Sequence, residues 1–451
     1  MTNRLDRDFH LPGLLRFALP TIIMMLVVSL YTIVDGVLIA RLVGENALAA
    51  ANVAYPAISF TLAMGIMLGT GGSAVVAHKM GAGYLEEARR DFGFLALVAV
   101  CIGLAVCLAG ALFAGPLARL LGASDLLLDD TVTYLRVQLC FAPMAMLQLL
   151  FESFFVTAGR PGLGLGLATA AGVTNAVLDY LYMGPMQMGI LGAALGTVTG
   201  YSIPAVAGGL FFLLRRQGLR FGRPHGDLRM LGRACFNGAS EMVTNLSMAV
   251  TTFLFNAIMM AYLGEAGVSA ITIVLYAQFL LVALYMGFSM GVAPVFSFNR
   301  GAGRYDRMRR IFGYCLRFIL VSSVAILAVA LALSGVVVGI FSTPGSPVYA
   351  IALDGFRRFA PAFLFAGVNI FSSALFTASA IISFARTFGF LLLGLLLLPR
   401  LLEVDGVWLA VPLAELLSCL LSVWFLRRKR ADFGFGGGDL PRHGGRGGGR
   451  I

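Results

Sequence analysis

The sequence predicts an all-α integral membrane protein, with twelve transmembrane helices in two six-helix lobes related by a pseudo-two-fold axis along the membrane normal. Three observations carry this. The chain is 59% hydrophobic with mean hydropathy +0.89, and only 12% of its residues are charged, against about 25% in a soluble domain. Apolar stretches long enough to cross a bilayer, about 20 residues each, recur along its length. The second half repeats the first at a nearly constant offset.

The apolar stretches lie near 14–43, 47–78, 92–121, 131–158, 162–183 and 188–214, then near 234–263, 268–298, 311–341, 351–378, 380–400 and 405–426. They divide the chain into an N-terminal lobe (1–214), a basic connector (215–233), a C-terminal lobe (234–430) and a Gly- and Arg-rich tail (431–451) expected to be disordered. The opening MTNRLDRDFHLPG reads as a cytoplasmic leader to an uncleaved first span, since no small-residue cleavage site follows a short apolar core.

Orientation follows from the arginines. With the N-terminus inside, the connections at 79–90, 160, 215–233 and 300–310 hold fifteen Lys or Arg. The opposite loops and span ends hold six: Arg41, Arg119, Arg136, Arg357, Arg358 and Arg400. The positive-inside pattern therefore puts both termini in the cytoplasm. It also explains the net charge of +11 without nucleic acid as a partner.

The repeat is specific. Gly44-Glu45 matches Gly264-Glu265, Gly81-Ala82-Gly83 matches Gly301-Ala302-Gly303, and Arg89-Arg90 with Phe92-Gly93 matches Arg309-Arg310 with Phe312-Gly313, all at an offset of 220. Phe141-Ala142-Pro143 matches Phe359-Ala360-Pro361 at 218. Six spans per half make the copies parallel repeats, an architecture that holds substrate between its halves.

Several chemistries are excluded. The six cysteines show no CxxC or metal spacing, and neither lysine, Lys79 or Lys429, follows a glycine as in a Walker A loop. No HExxH or paired His/Asp cluster lies in the spans, so neither an enzyme nor a bound cofactor is expected.

The chemistry rests on acids inside the spans. Asp35 is the single acid in the apolar run Leu19–Gly44, and a carboxylate at membrane depth marks an ion or substrate pathway by default. It lies 19 residues past Arg16, about 28 Å at helical rise. Asp179 is likewise 19 residues past Arg160, with Asn175 one turn before it on the same face. Thr197 and Thr199 follow early in the next span. Two carboxylates, an amide and a hydroxyl at one depth suit Na⁺, or a carboxyl that takes up a proton; an interhelical hydrogen-bond pair is the plain packing alternative. At the 220 offset Asp35 falls on Phe255, beside Asn256, so the charge belongs to the first half alone.

Glu152 and Glu241 each lie eight residues from a basic residue, Arg160 and Arg233. Both are expected at the inner mouth of a central cavity, or paired with those arginines. Met286 and Met290, with Asn256, are candidates for an adaptable apolar lining. His78 reads as a loop residue.

The chain resembles the multidrug and toxic compound extrusion (MATE) family, in the branch that includes bacterial DNA-damage-inducible and multidrug-export proteins. The resemblance covers about residues 10 to 430. Its carriers are LPTIIMMLVVSLYTIVDGVLIARLVG, MGIMLGTGGSAVVAHKMGAG, and TNAVLDYLYM with GILGAALGTVTG; in the second half they are LFNAIMMAYLGEAGVSA, MGFSMGVAPVFSFNRGAG and VDGVWLAVPLAELLS. It implies a monomeric bacterial inner-membrane antiporter that exports cationic or amphipathic compounds in exchange for H⁺ or Na⁺, with membrane lipid as its other partner. It implies coupling at Asp35, Asn175, Asp179 and Thr197, and a bend in span 1 near Pro20. The alternative is a flippase for lipid-linked oligosaccharides in the same superfamily, which usually has a more basic cavity. Two departures stand out. Span 10 carries Asn369 where some branches have an acid, which argues against a cation site in the second half. The connection LFTASAIISFAR between spans 10 and 11 is also shorter than in relatives.

Overall fold

Apolar side chains favour burial or lipid, and in lipid the backbone satisfies its polar groups only within helices or closed barrels. The computed structural model describes residues 4–6, 8–375 and 384–428, and every regular element among them is helical. The N-terminal lobe holds α1 (Leu11–Leu42), α2 (Glu45–Gly81), α3 (Leu85–Leu120), α4 (Leu128–Cys140), α5 (Ala142–Thr157), α6 (Pro161–Met183) and α7 (Gly189–Leu214). The C-terminal lobe holds α8 (Leu228–Gly301), α9 (Tyr305–Ala332), α10 (Ser334–Phe341), α11 (Pro347–Phe359) and α12 (Ala362–Leu375), then a π-helical turn (Ala385–Leu391) and α13 (Leu392–Arg428).

Among the described residues nine helices are long and apolar enough to cross a membrane, and the bent pair α4–α5 makes ten. The broken pair α11–α12 and the division of α13 at Glu403 complete the twelve-span arrangement. The expected connection around Thr377 to Ile382 and the tail 431–451 lie outside the described residues.

Backbone breaks repeat with the sequence. The chain turns at Gly44 (φ +126°) and at its partner Gly264 (φ +61°), where α8 divides into Leu228–Gly264 and Ala266–Gly301. Span 3 breaks at Phe113 and span 9 at Leu333, again 220 residues on. Pro116 explains the first of these, since it cannot donate to the carbonyl four residues before it. The α4–α5 pair bends by 54° just before Pro143, and the α11–α12 break falls at its repeat partner Pro361. Spans 3, 4, 9 and 10, expected as continuous runs, are therefore each interrupted. Gly192 and Gly406 both lie against the preceding helix, and the positive-φ positions Gly189 and Glu403 precede them by three residues. Their offset is 214, so the second half has lost four residues between these landmarks and the Pro143/Pro361 pair.

Each lobe's leading segment packs on the other lobe. Leu5, Phe9, Leu14, Ala18 and Ile22 bury within the C-terminal core beside Phe288, Val292 and Val295. Asp6 pairs with Arg304 and Arg307, and Asp8 with Arg310. In return the connector lies on the start of α3. Gly222 N–H donates to Arg89 O at 3.0 Å, Arg89 Nε donates to Gly218 O at 2.9 Å, and Phe221 stacks on Phe92 at 4.8 Å. α8 then begins at Leu228, inside the expected connector, because the Asp227 side chain caps it, accepting from Arg229 N and Met230 N at 3.0 and 3.1 Å. These backbone donors, Met230 first, hold the Asp227 carboxyl below its usual range.

The lobes meet where glycines remove side chains. A Cβ on Gly71 would strike Ala234 O, and one on Gly238 would strike Met67 O. Nearer the connector face, Gly81 lies against Phe298 and Gly301 against His78. Gly287 and Gly291 admit α1 at Thr21–Ile22 and Ala18. Close backbone approach of this kind drives helix association in membranes. Gly238→Ala should therefore lower the thermal stability of the purified protein, by about 1–3 kcal/mol for a buried overlap. Gly232→Ala, on the same helix with nothing within 4 Å of its Cβ, should leave it unchanged or raised. Circular-dichroism melting of both variants in one detergent makes the comparison.

Candidate functional site

The N-terminal lobe brings three of the four expected coupling residues into direct association. α1 and α7 both pack on α6 through small residues. Gly172 of α6 leaves room for the Tyr31 ring and Gly164 for the Met24 thioether, while Gly196 of α7 abuts Asp179 Oδ1 and Gly200 abuts Asn175 Cβ. Asn175 and Asp179 share one face of α6, both buried, and Asn175 Nδ2 donates to Asp179 Oδ2 at 2.8 Å. The Asp35 carboxyl faces that of Asp179. Oδ1 of each is buried with no hydrogen-bond partner among the described residues. The two carboxyls thus lie within reach of each other, each with one buried oxygen that no described donor meets, and a shared proton or a small cation would satisfy both.

Thr197 joins this group through a tyrosine. Its hydroxyl donates to Ala193 O at 3.0 Å and lies within hydrogen-bond reach of Tyr134, which also meets Gln138. Thr199 donates to Leu195 O at 2.7 Å. Tyr201, one turn beyond Thr197 on α7, lies in the field of Asp35, Tyr31 and Tyr134.

A polar line leads from the acids to the middle of the molecule. Tyr31 is one turn before Asp35 on α1 and hydrogen-bonds Gln148 of α5. Gln148 Nε2 donates to Glu152 Oε1 at 3.0 Å. Glu152 in turn lines a cavity of about 1320 Å³ between the lobes. Glu241 faces the same cavity from α8 and accepts from Ser240 Oγ at 2.6 Å. Met286 and Met290 line it, as does Met25. Asn256 is not among its lining residues; its Oδ1 is buried without a partner among the described residues. Towards the connector face the lining becomes basic, with His78, Lys79, Arg229, Arg233 and Arg300. His78 sits in the last turn of α2, not in a loop. Lys79 is held by Asp91 at 2.6 Å and Glu87 at 3.4 Å.

The C-terminal lobe holds a different cluster. Asn369 Nδ2 donates to Glu415 Oε2 at 2.6 Å and to Glu415 O at 2.8 Å. Arg386 stands 3.9 Å from Glu415 Oε1. The expected lack of an acid partner on span 10 is correct for that helix, but span 12 supplies Glu415 to its Asn369. A basic residue accompanies this acid, so the two lobes differ in charge as well as in sequence.

Sequence reasoning passed over Tyr31, Tyr134, Gln138, Gln148 and Tyr201. Their signal was weak, since an isolated Tyr or Gln in a span reads as packing. Glu415 carried the same signal as Asp35, a single acid in an apolar run, and the intramembrane rule applied to LAELLS would have found it.

The MatE family model matches residues 20–181 and 242–399, most of both lobes. Multidrug export protein MepA of Staphylococcus aureus (strain NCTC 8325 / PS 47) is 24% identical over 344 residues, covering 73% of each chain. MepA of Staphylococcus saprophyticus is 24% identical over 437 residues, covering 92% of this chain and 94% of the relative. Among solved structures, a multidrug resistance MATE transporter in an outward-facing conformation superposes with a TM-score of 0.89 at 18% identity, covering 96% of this chain and 99% of that one. A MOP superfamily transporter from Pyrococcus furiosus, described as having a binding pocket of reverse polarity, superposes with a TM-score of 0.86 at 18% identity, covering 93% and 96%. With its family match spanning both halves, its helical repeat and its membrane-spanning elements, this chain belongs to the MatE family of multi-pass membrane transporters.

Proposed function

We propose that this protein is a secondary active exporter of cationic or amphipathic compounds, driven by inward movement of H⁺ or Na⁺ through the Asp35–Asp179 site. The observation that carries this is the pair of facing carboxylates, each with a buried oxygen that no described donor meets. Packing alone does not call for such a pair; a site that loads and unloads a positive charge does. The curated relatives are multidrug export proteins, which agrees with this reading. The driving force is available, since one charge crossing 100 mV supplies about 2.3 kcal/mol.

In this scheme substrate occupies the central cavity, where Glu152 and Glu241 attract positive charge and the methionines adapt to apolar surface. Tyr31, Gln148 and Glu152 connect the coupling acids to that cavity. Neutralising Asp35 and Asp179 changes what the Tyr31–Gln148 step meets at one end, while substrate changes what Glu152 meets at the other. The lobes rock about the cavity to alternate access, with Pro20 as the hinge in α1. The protein works as a monomer in the bacterial inner membrane with both termini in the cytoplasm, as its arginine distribution supports.

Ethidium efflux from proteoliposomes, under an imposed pH gradient and then a Na⁺ gradient, tests the coupling. Wild type should export under one of the two, and Asp35→Asn should lose that export while keeping its expression and melting temperature. Retained gradient-driven export in Asp35→Asn removes the assigned site. Glu152→Gln with Glu241→Gln should weaken cationic substrates about tenfold, the scale of a hydrogen bond to a charged group, and neutral ones far less. Equal loss for both classes means that the glutamates do not act by charge.

A further inference from the structure

The internal repeat runs past the last span. Leu214-Arg215-Arg216, Phe221-Gly222 and Gly226-Asp227-Leu228 of the connector recur as Leu426-Arg427-Arg428, Phe433-Gly434 and Gly438-Asp439-Leu440, all at an offset of 212. Eight of these fifteen positions are identical. A glycine-rich composition explains some of the matching glycines, but not Arg-Arg, Phe and Asp-Leu held in one register.

In the first copy the motif clasps the end of its lobe. Gly222 N–H donates to Arg89 O at 3.0 Å, and Arg89 Nε donates back to Gly218 O at 2.9 Å. Phe221 stacks on Phe92 at 4.8 Å and meets the Phe212 ring edge-on at 5.9 Å. Gly93 admits this segment, since a Cβ there would strike Gly222 O. Arg89, Phe92, Gly93 and Phe212 are all buried. The receiving face recurs as well. Arg309, Phe312 and Gly313 of α9 repeat Arg89, Phe92 and Gly93 at the 220 offset, and Trp424 repeats Phe212 at 212. Arg309, Phe312 and Gly313 are only partly buried, and Trp424 is 49% exposed. Glycine weakens a helix interior, yet Gly313 lies inside α9, and nothing described lies within 4 Å of a Cβ built on it. Contacts among the described residues therefore do not call for glycine at 313, whereas the connector requires it at 93.

We propose that this face of α9 is the docking site of the chain's own segment 430–440. Gly434 lies against Gly313, Phe433 stacks on Phe312, and Arg309 bonds the backbone around Gly434 as Arg89 bonds that around Gly222. The repeat selects this occupant. In both copies four residues separate the arginine pair at the end of a lobe's last span from Phe-Gly, so the reach is the same. Each lobe is then closed by the chain that leaves it, and the expectation of disorder from composition applies to 441–451 alone.

Hydrogen–deuterium exchange of the purified protein, read by mass spectrometry over the start of α9 (305–316), tests this. Three chains are compared: full length, one ending at Leu440 and one ending at Arg430. The first two should exchange alike within about twofold, and the third about tenfold faster, as for loss of a local packing contact. The start of α3 (85–96), still covered by the connector, should not change. Phe433→Ser in the full chain should reproduce the faster exchange without removing a residue. Gly313→Leu should act with opposite sign in two chains. In the full chain it blocks the docked backbone and speeds exchange. In the chain ending at Arg430 it slows exchange, because leucine favours the helix and its Cβ meets nothing described. Equal exchange in the full chain and the chain ending at Arg430 overturns the proposal; if that exchange also slows with rising protein concentration, a second copy is the occupant instead. Faster exchange in the chain ending at Leu440 overturns it in favour of the Gly- and Arg-rich residues beyond. An equal rise at 85–96 means general loosening and overturns it, as does slower exchange in full-length Gly313→Leu.

Discussion

Two carboxylates buried side by side stay in place only if something positive joins them or protons neutralise them. The N-terminal lobe is arranged around that requirement. Gly196 and Gly200 on α7 give Asp179 and Asn175 their space, and Gly172 on α6 lets Tyr31 bring α1, with Asp35, against them. Asn175 occupies one oxygen of Asp179 and leaves the other, which abuts Gly196, without a described donor. Filling that gap with a permanent donor from the protein would make a stable hydrogen-bonded core. Leaving it open leaves the lobe's internal electrostatics sensitive to a proton or small cation, as the proposed coupling requires. The Tyr31–Gln148–Glu152 line then gives this local event a route to the cavity through contiguous polar contacts.

The twelve-span arrangement, the repeat and the grouping of Asp35, Asn175 and Asp179 were legible because each rests on a strong local signal. Apolar length identifies a span, an acid in such a run marks a site, and Asn175 and Asp179 share a face by helical spacing alone. The breaks at Phe113, Phe141 and Leu333 were not legible, because an apolar span shows no change in pattern where it bends. Proline marks some of them, but Pro20 sits within a single continuous helix, α1, so a proline by itself does not predict a break. Arg386 was read only as part of a short connection, since an arginine near a span end normally marks the interface. The crossing of Leu5 and Phe9 into the opposite lobe has no sequence signature, because burial against one lobe or the other leaves the same apolar residue.

The lobes share a scaffold but divide the electrostatic work. In the N-terminal lobe two acids face each other with no arginine in their immediate group. In the C-terminal lobe the acid Glu415 stands beside Arg386, so that cluster can be neutral without a bound ion. A buried ion pair adds little net stability, since desolvation offsets the attraction. Its position beside the cavity is better understood through its charge pattern than through stability. A second open acid pair in this lobe would demand its own ion. An acid–arginine pair does not, so on the proposed mechanism the asymmetry confines ion dependence to one lobe.

That asymmetry matters only if motion links the lobes, and α1 is one element that both lobes hold. Its first part belongs to the C-terminal lobe, with Leu14, Ala18 and Ile22 in that core and Ala18 against Gly291. Its later part belongs to the N-terminal lobe, with Met24 against Gly164 and Tyr31 against Gly172 of α6. Any rotation of one lobe against the other must therefore be absorbed within α1 between these anchors. Pro20 lies just before that junction, between the C-terminal-lobe anchors Ala18 and Ile22. It cannot donate to the carbonyl of Arg16, so the helical ladder already lacks one bond at that level. Bending costs least where a hydrogen bond is already missing. Asp35 lies fifteen residues further along the same helix, about 22 Å at helical rise. A small change of angle at Pro20 is thus carried along a rigid lever to the carboxylate pair, and the reverse follows. On the proposed mechanism, a charge loaded between Asp35 and Asp179 would draw α1 against α6 and place the strain on the turn of α1 around Pro20.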